Sequence, residues 1–360
     1  MTDKERLEVI KSCKWADLII KDCPYVADYS LYKKVGIEML THGSDIVLDN
    51  SGNDMYGEAK KEGKFRVFER TYGSSTSNLV GRMLLKKKVK EPVSKKMLDY
   101  HNELALKFQE DWVDNLGSKF ADVPVYEIKD FLYKNLDITQ LCTDSKLKNQ
   151  NLQRLSIDDK DNNENDTKNS INTKNNTNKI IDNTDINNNN IKRMKNSDST
   201  LSQTYNSTKK QRTVYIDGSF DLYHAGHASI IKHARHRADK LIIGLHNDDE
   251  IRKYKLESPI MATSERKLIL LSNRYIDKII DNAPYIPTDD FVKKYNIDEI
   301  VCGKESKKFY VHLMSVNVHT FCNEFFYLNA ELIVQRIFKN YEVYMKKIKK
   351  MQPTDLISPQ

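Results

Sequence analysis

The chain of 360 residues has room for two domains at roughly 150 residues each. Its net charge of +7 is modest for that length, so the short Lys clusters, such as 86–88 and 346–350, read as solvated faces rather than as a nucleic-acid or membrane surface. Five cysteines (Cys13, Cys23, Cys142, Cys302 and Cys322) are odd in number and lack C-x-x-C spacing. That excludes a disulfide framework and a zinc knuckle and points to a reducing compartment. No apolar run reaches the roughly 18 residues of a membrane span, and Met1-Thr-Asp-Lys-Glu-Arg6 has no hydrophobic signal core; the chain reads as soluble and cytoplasmic.

Along the chain, Thr2-x-x-Glu5 is a capping box for a helix carrying Leu7, Val9, Ile10 and Cys13. Asp17-Leu-Ile-Ile20 reads as a short buried strand, Tyr29 to Val35 as a helix stopped by Gly36, and Glu38 to His42 as a strand ending at Gly43. Alternation of this kind predicts a parallel sheet with helical crossovers. Arg70-Thr-Tyr-Gly-Ser-Ser-Thr-Ser77 precedes an apolar helical stretch, 79–85. Small hydroxyl residues and a glycine at a helix N-terminus offer O–H and N–H donors, and Arg70 adds a bidentate partner, so the segment suits phosphate.

Residues 86–142 mix helical periodicity (Met97, Leu104, Phe108, Trp112) with breaks at Pro92, Gly117 and Pro124 and read as a helical connector. Residues 143–212, rich in Asn, Asp, Lys and Ser, cannot bury enough apolar surface to offset their ordering entropy and read as a disordered linker. A second unit then occupies 213–340. Val214 and Ile216 mark a buried strand, Asp217-Gly218 a break, and His224-Ala-Gly-His227 the entry to a helix through Ile230, Ile231 and Ala234. Two imidazoles would sit at a strand-to-helix junction, where free N–H groups and the helix dipole favour a phosphate. Gly226 between them would leave room for a nucleotide to approach the backbone. A helix with a basic end, running from 332 into a tail at 341–360, closes the chain.

The sequence also repeats itself. A shift of 260 aligns Glu5-Arg6 with Glu265-Arg266, Asp17 with Asp277, Pro24-Tyr25 with Pro284-Tyr285 and Gly43 with Gly303, without a gap. Met1 aligns with Met261, so residues 1–85 read as a partial copy with no counterpart of 213–260. An incomplete N-terminus is the expectation from that register.

Asp217-Gly-Ser-Phe-Asp-Leu-Tyr-His-Ala-Gly-His227 resembles the signature of the cytidylyltransferases in the H-x-G-H nucleotidyltransferase superfamily. Leu241 to Ile251, Tyr254-Lys255, Glu265-Arg266, Arg274 to Asp277 and Ala283-Pro-Tyr285 continue the likeness in order. Within these enzymes it is similar to the ethanolamine-phosphate group, and residues 70–77 resemble that group's R-T-x-G-x-S-T-x signature. The resemblance implies a Rossmann-like α/β fold, a parallel sheet with flanking helices in two tandem copies, the first incomplete. It implies transfer of a cytidylyl group from CTP to phosphoethanolamine, with Mg²⁺ accompanying the CTP. His224, His227 and Lys255 are the implied catalytic residues. Gly218, Ser219, Phe220 and Gly226, with Arg70, Thr71, Gly73, Ser74, Ser75 and Thr76, would bind the nucleotide. Asp221, Tyr285 and Tyr25 would meet the amino-alcohol, a tyrosine at 285 favouring ethanolamine over a quaternary ammonium. A homo-oligomer without nucleic acid, and at most weak membrane-surface contact, completes the expectation.

The first copy has the phosphate signature without H-x-G-H, whereas in the second, 317–330 lacks the Arg-Thr and the glycine of that signature. Three arrangements follow: an enzyme whose chain here is truncated, a nucleotide-binding or regulatory protein with impaired catalysis, or a composite site joining residues 70–77 to the two histidines.

Overall fold

The computed structural model describes residues 1–25, 28–44, 47–49, 51–68, 71, 76–84, 95–113, 122–134, 136, 138, 141 and 211–350. The segment 143–210 and the tail beyond 350, for which a linker and a tail were expected, lie outside the described residues.

Two apolar segments of the second copy make the centre of its sheet. β5 (Thr213–Gly218) and β6 (Lys240–Leu245) are buried along most of their length, as strands covered on both faces must be. β7 (Lys278–Asp281), β8 (Glu299–Gly303) and β9 (Asn317–Phe321) complete a parallel sheet of order β7-β6-β5-β8-β9. Strand order reverses at β5, so the crevice beyond the carboxyl ends of β5 and β8 is the topological switch point where α/β sheets place ligands. One face is covered by α7 (Ala225–His236) and α9 (Thr263–Leu271), whose Ile231, Ala234 and Leu270 pack on Val214, Ile216 and Ile243. The other is covered by α10 (Asp289–Lys294) and a 3-10 helix (Lys304–Phe309), through Val292 and Tyr310 on Tyr215, Ile242 and Ile300.

The first copy has α1 (Asp3–Lys11), β1 (Ile19–Lys21), α2 (Tyr29–Val35) and β2 (Leu40–Gly43). Helix α9 lies 260 residues beyond α1 at both ends, so the repeat seen in the sequence is a repeat of elements. Gly36 ends α2 at φ 86°, a left-handed position that glycine takes without a Cβ clash. Strand β1 is half-buried rather than buried. In the second copy β5 and β6 stand between β7 and β8; among the described residues of the first, β1 and β2, the counterparts of β7 and β8, belong to separate sheets. Strand β1 pairs with β4 (Val125–Glu127), and β2 with β3 (Phe65–Phe68), each pair a two-stranded parallel sheet. Val67 and Phe68 of β3 are exposed.

After α3 (Gly57–Lys61), α4 (Thr76–Leu84) follows the first signature. The connector holds α5 (Lys95–Val113) and α6 (Ile128–Tyr133) as well as β4, a strand its periodicity does not announce. Ala105 of α5 packs on Leu268 and Leu271 of α9, so this helix covers the second copy. In place of one closing helix the chain forms α11 (Ala330–Phe338) and α12 (Tyr341–Lys350).

The copies meet through equivalent residues. The Lys14 N–H donates to the Ser272 carbonyl at 2.9 Å and the Arg274 N–H to the Ser12 carbonyl at 2.8 Å, with Cys13 opposite Asn273. Each residue of one side is the repeat-partner of one on the other, which makes the contact self-complementary about a pseudo-two-fold axis.

Gly244 in β6 shows how tightly the sheet is closed. A Cβ there would lie 2.0 Å from Tyr215 Oη and 2.9 Å from Ala283 Cβ. Gly244→Ala is expected to lower unfolding free energy by about 1–3 kcal/mol through overpacking, read as a reduced urea midpoint; an unchanged midpoint contradicts this packing.

Candidate functional site

The turn after β5 leads toward the switch-point crevice. Phe220 and Leu222 take left-handed backbone angles, φ 50° and 47°, so the chain turns sharply between Gly218 and His224. The Ser219 carbonyl accepts from Arg266 Nη1 at 2.5 Å. That guanidinium, fully buried, also donates to the carbonyls of His246 and Met261 and to Asp248. Arg266 therefore ties together the ends of β5, β6 and the start of α9. The sequence shows it only as part of a matching block.

His224 is the N-cap of α7: its Nδ1 accepts from the Gly226 N–H at 3.1 Å, and His227 Nδ1 accepts from the His224 N–H at 3.4 Å. The rings stack at 3.9 Å between centroids. With both Nδ1 atoms accepting, each neutral imidazole carries its proton on Nε2. Burial pushes His224 down to about 4, and burial together with the charges of His224 and Lys255 pushes His227 well below its ordinary value. The pair is thus neutral at pH 7, two N–H donors beside the N-terminus of a helix. Lys255, exposed at the end of α8 (Asp248–Lys255), supplies the full positive charge.

Gly226 is small for a reason internal to the chain. A Cβ on it would stand 3.0 Å from the His224 ring and 3.3 Å from the Phe325 carbonyl oxygen, so the expected room for a nucleotide is filled by the segment that replaces the phosphate signature. Asn323 Nδ2 donates to the Gly226 carbonyl, and buried Phe325 and Leu328 pack on Ala225.

Two carboxylates near this turn have different work. Asp221, expected beside the amino-alcohol, accepts backbone N–H groups from Ile260 (2.7 Å), Met261 (2.9 Å) and Leu222 (3.1 Å), so both its oxygens fasten the turn. Asp217 lies near the carboxyl end of β5, with its side chain buried. Tyr310 donates to its Oδ1, His246 Nε2 stands 3.9 Å from it, and its buried Oδ2 accepts no hydrogen bond of standard geometry among the described residues, although the Tyr215 hydroxyl also pulls on the carboxyl. Burial raises its pKa to about 7, against the pull of the tyrosine hydrogen bonds. Around it are aromatic rings: Tyr285 lies 5.1 Å from His246, stacks on Tyr254 at 4.5 Å and meets Phe309 edge-on at 5.2 Å. The Tyr285 N–H is held by Glu250 at 3.0 Å. A buried acid following an apolar strand run is the signal that could have found Asp217.

Of the remaining expected residues, Tyr25 is 94% exposed. Arg70, Gly73, Ser74 and Ser75 lie outside the described residues; Thr71 is exposed, and Thr76 opens α4.

A profile of cytidylyltransferase-like proteins matches residues 1–82 and 215–358, in two segments that fall on the two copies. The chain belongs to the cytidylyltransferase-like family. It is similar to a probable ethanolamine-phosphate cytidylyltransferase of Encephalitozoon cuniculi, 29% identical over 97% of this chain and 82% of that protein. The ethanolamine-phosphate cytidylyltransferases of Arabidopsis thaliana (26% identical, 98% of this chain, 72% of that one) and Mus musculus (25%, 99% and 78%) are similar over the same extent. Among the described residues no helix is long and apolar enough to cross a membrane.

The division of labour between the two acids is testable. Asp221→Ala leaves backbone donors unsatisfied and should cost about 2–4 kcal/mol of unfolding free energy, whereas Asp217→Asn should leave the unfolding free energy equal or higher because a buried acid is neutralised. Equal losses in both, measured by urea denaturation, contradict the assignment.

Proposed function

We propose that the chain transfers the cytidylyl group of CTP to phosphoethanolamine, giving CDP-ethanolamine and diphosphate. The observation that carries the head-group assignment is the buried carboxyl of Asp217 beside a set of aromatic rings. A carboxylate pairs with an ammonium, and ring faces favour a cation. A primary ammonium suits it better than a quaternary one, because only the former has N–H donors for a carboxylate oxygen. The family membership and the relatives' names support the reaction class.

In the reaction a phosphate oxygen of phosphoethanolamine attacks the α-phosphorus of CTP, the new P–O bond forms, and the bond to the bridging oxygen breaks to release diphosphate. No proton need leave the enzyme, so catalysis rests on positioning and on stabilising charge as it develops. Neutral imidazoles that donate through Nε2 fit that task, since they stabilise phosphate oxygens without competing as bases. The N-terminus of α7 adds its dipole, and Lys255 its charge. Among the described residues no three His, Cys, Asp or Glu side chains form a metal-binding group; Mg²⁺ enters with the triphosphate, as part of the substrate.

Incubation of the chain with CTP, Mg²⁺ and phosphoethanolamine should yield CDP-ethanolamine, and His224→Ala should reduce kcat/KM by about 100-fold or more, the scale of losing one preorganised donor. A folded chain that forms no product overturns the reading. The pH dependence has a fixed sign. Asp217 is protonated below about 7 in the free protein, so amino-alcohol affinity should rise as pH increases to 7, by about tenfold per unit, and level off above it. Asp217→Asn should flatten that profile; a profile unchanged in the variant contradicts the role of Asp217.

A further inference from the structure

The first turn of α7 is covered by a segment that the first copy holds down. Between β9 and α11 the chain runs through 322–329 without helix or strand. It folds into two overlapping turns, the Phe326 N–H donating to the Asn323 carbonyl at 3.1 Å and the Leu328 N–H to the Phe325 carbonyl at 2.9 Å. Asn323 Oδ1 also accepts from the Phe325 N–H at 2.7 Å. Buried Phe325 and Leu328 pack on Ala225, the first residue of α7, while Phe326 and Tyr327 stay at the surface.

Two sets of contacts fasten this segment. Toward the second copy, Asn323 Nδ2 donates to the Gly226 carbonyl at 3.3 Å, and the Phe325 carbonyl oxygen closes over Gly226. Toward the first, helix α1 supplies three contacts. The Tyr327 hydroxyl donates to Glu5 Oε1 at 3.1 Å, Lys4 pairs with Glu324 and stands 5.6 Å from the centre of the Phe325 ring, and Val9 packs on the cluster of Phe325 and Leu328. Glu5 is itself buried and engaged by Arg336 and by its own capping box, so Tyr327 is tied to a fixed point.

What the segment secures is the tautomer of His224. The Gly226 N–H donates to His224 Nδ1 at 3.1 Å, which leaves the ring proton to Nε2. With its carbonyl taken by Asn323, Gly226 is held on both sides, and the residue before it is covered by Phe325. Burial is the largest influence on both imidazoles and disfavours their charged forms; of the charged groups around them, Glu5 favours the imidazolium of His224, whereas His224 and Lys255 disfavour that of His227.

We propose that Asn323 and Tyr327 are positioning residues for the His224–His227 pair: through Glu5 the first copy clasps the segment 323–328 onto the first turn of α7, and the clasp fixes the ring that donates through Nε2. The consequence for turnover rests on the reading of the pair as donors to phosphate; the positioning itself does not.

The test is nitrogen-15 NMR of the histidine rings in the full chain across pH, which shows which ring nitrogen carries the proton and where each ring titrates. In the wild-type chain His224 should be a single Nε2–H tautomer with a midpoint of about 4. Asn323→Ala frees the Gly226 carbonyl and should give mixed tautomers at His224, with the midpoint raised by about one unit or more toward the ordinary value of about 6.5 as water reaches the ring. Tyr327→Phe removes one hydroxyl and keeps the apolar packing; it should move His224 the same way by less, and it decides the matter if Asn323→Ala does not fold. His233, later in α7 and paired with His319, should titrate as in the wild type in both variants. For cytidylyl transfer, kcat should fall by about tenfold or more in Asn323→Ala while KM for phosphoethanolamine stays within about twofold. A His224 tautomer and midpoint unchanged in both variants, or a shift at His233 as large as that at His224, overturns the proposal. A wild-type chain that forms no product removes the kinetic consequence along with the substrate reading, and the ring spectra then decide the positioning.

Discussion

The structure depends on two carboxylates that have been taken out of water. Glu5 and Glu265 each satisfy a helix N-terminus and a guanidinium from the other copy. Burial pushes the Glu5 carboxyl up, and the hydrogen bonds from Arg336, Thr2 and Tyr327 more than reverse this, leaving it below its ordinary value. An ion pair in this setting adds little over well-packed apolar groups, yet removing one partner costs about 3–5 kcal/mol because the other charge stays buried. Such pairs act as specifications more than as glue: they admit one relative placement of the copies. The backbone bridge between Ser12, Lys14, Ser272 and Arg274 gives the same axis independently.

Once the copies are so placed, the chemistry is divided between them. The second copy has an intact β5 turn, a neutral histidine pair fixed in one tautomer, and a carboxylate among aromatic rings. Its own signature segment has become a packing element, with Phe325 and Leu328 over Ala225. The first copy has half-exposed strands in two small sheets and the helix that follows an R-T-x-G-x-S-T-x sequence. Neither is a smaller version of the other; they are repeat-partners whose faces have been put to different uses.

Local signals were legible in the sequence. The capping box at Thr2 and Glu5, the stop at Gly36 and the periodicity from Ile230 to Ala234 depend on neighbours three or four residues away, and the structure has each of them. The 260-residue shift was legible for the same reason, since it compares the chain with itself. What depends on distant contacts was not. Strand β4 has three residues and is defined by its partner β1. The face that α5 covers is set by Leu268 and Leu271, far along the chain. Asp221 and Asp217 have the same side chain four residues apart, and only the N–H groups of Ile260 and Met261 decide which is fastened to the backbone. At Gly226 the near neighbour, the Phe325 carbonyl oxygen, comes from about a hundred residues further along the chain.

The central claim is that the amino-alcohol is held at Asp217 of the second copy. A crystal structure of the full chain grown with phosphoethanolamine addresses it directly. The account predicts the ligand nitrogen within hydrogen-bonding distance of Asp217 Oδ2, among Tyr254, Tyr285 and Phe309, with its phosphate toward His224 and His227. Ligand bound elsewhere on the chain, with none at Asp217, would contradict it.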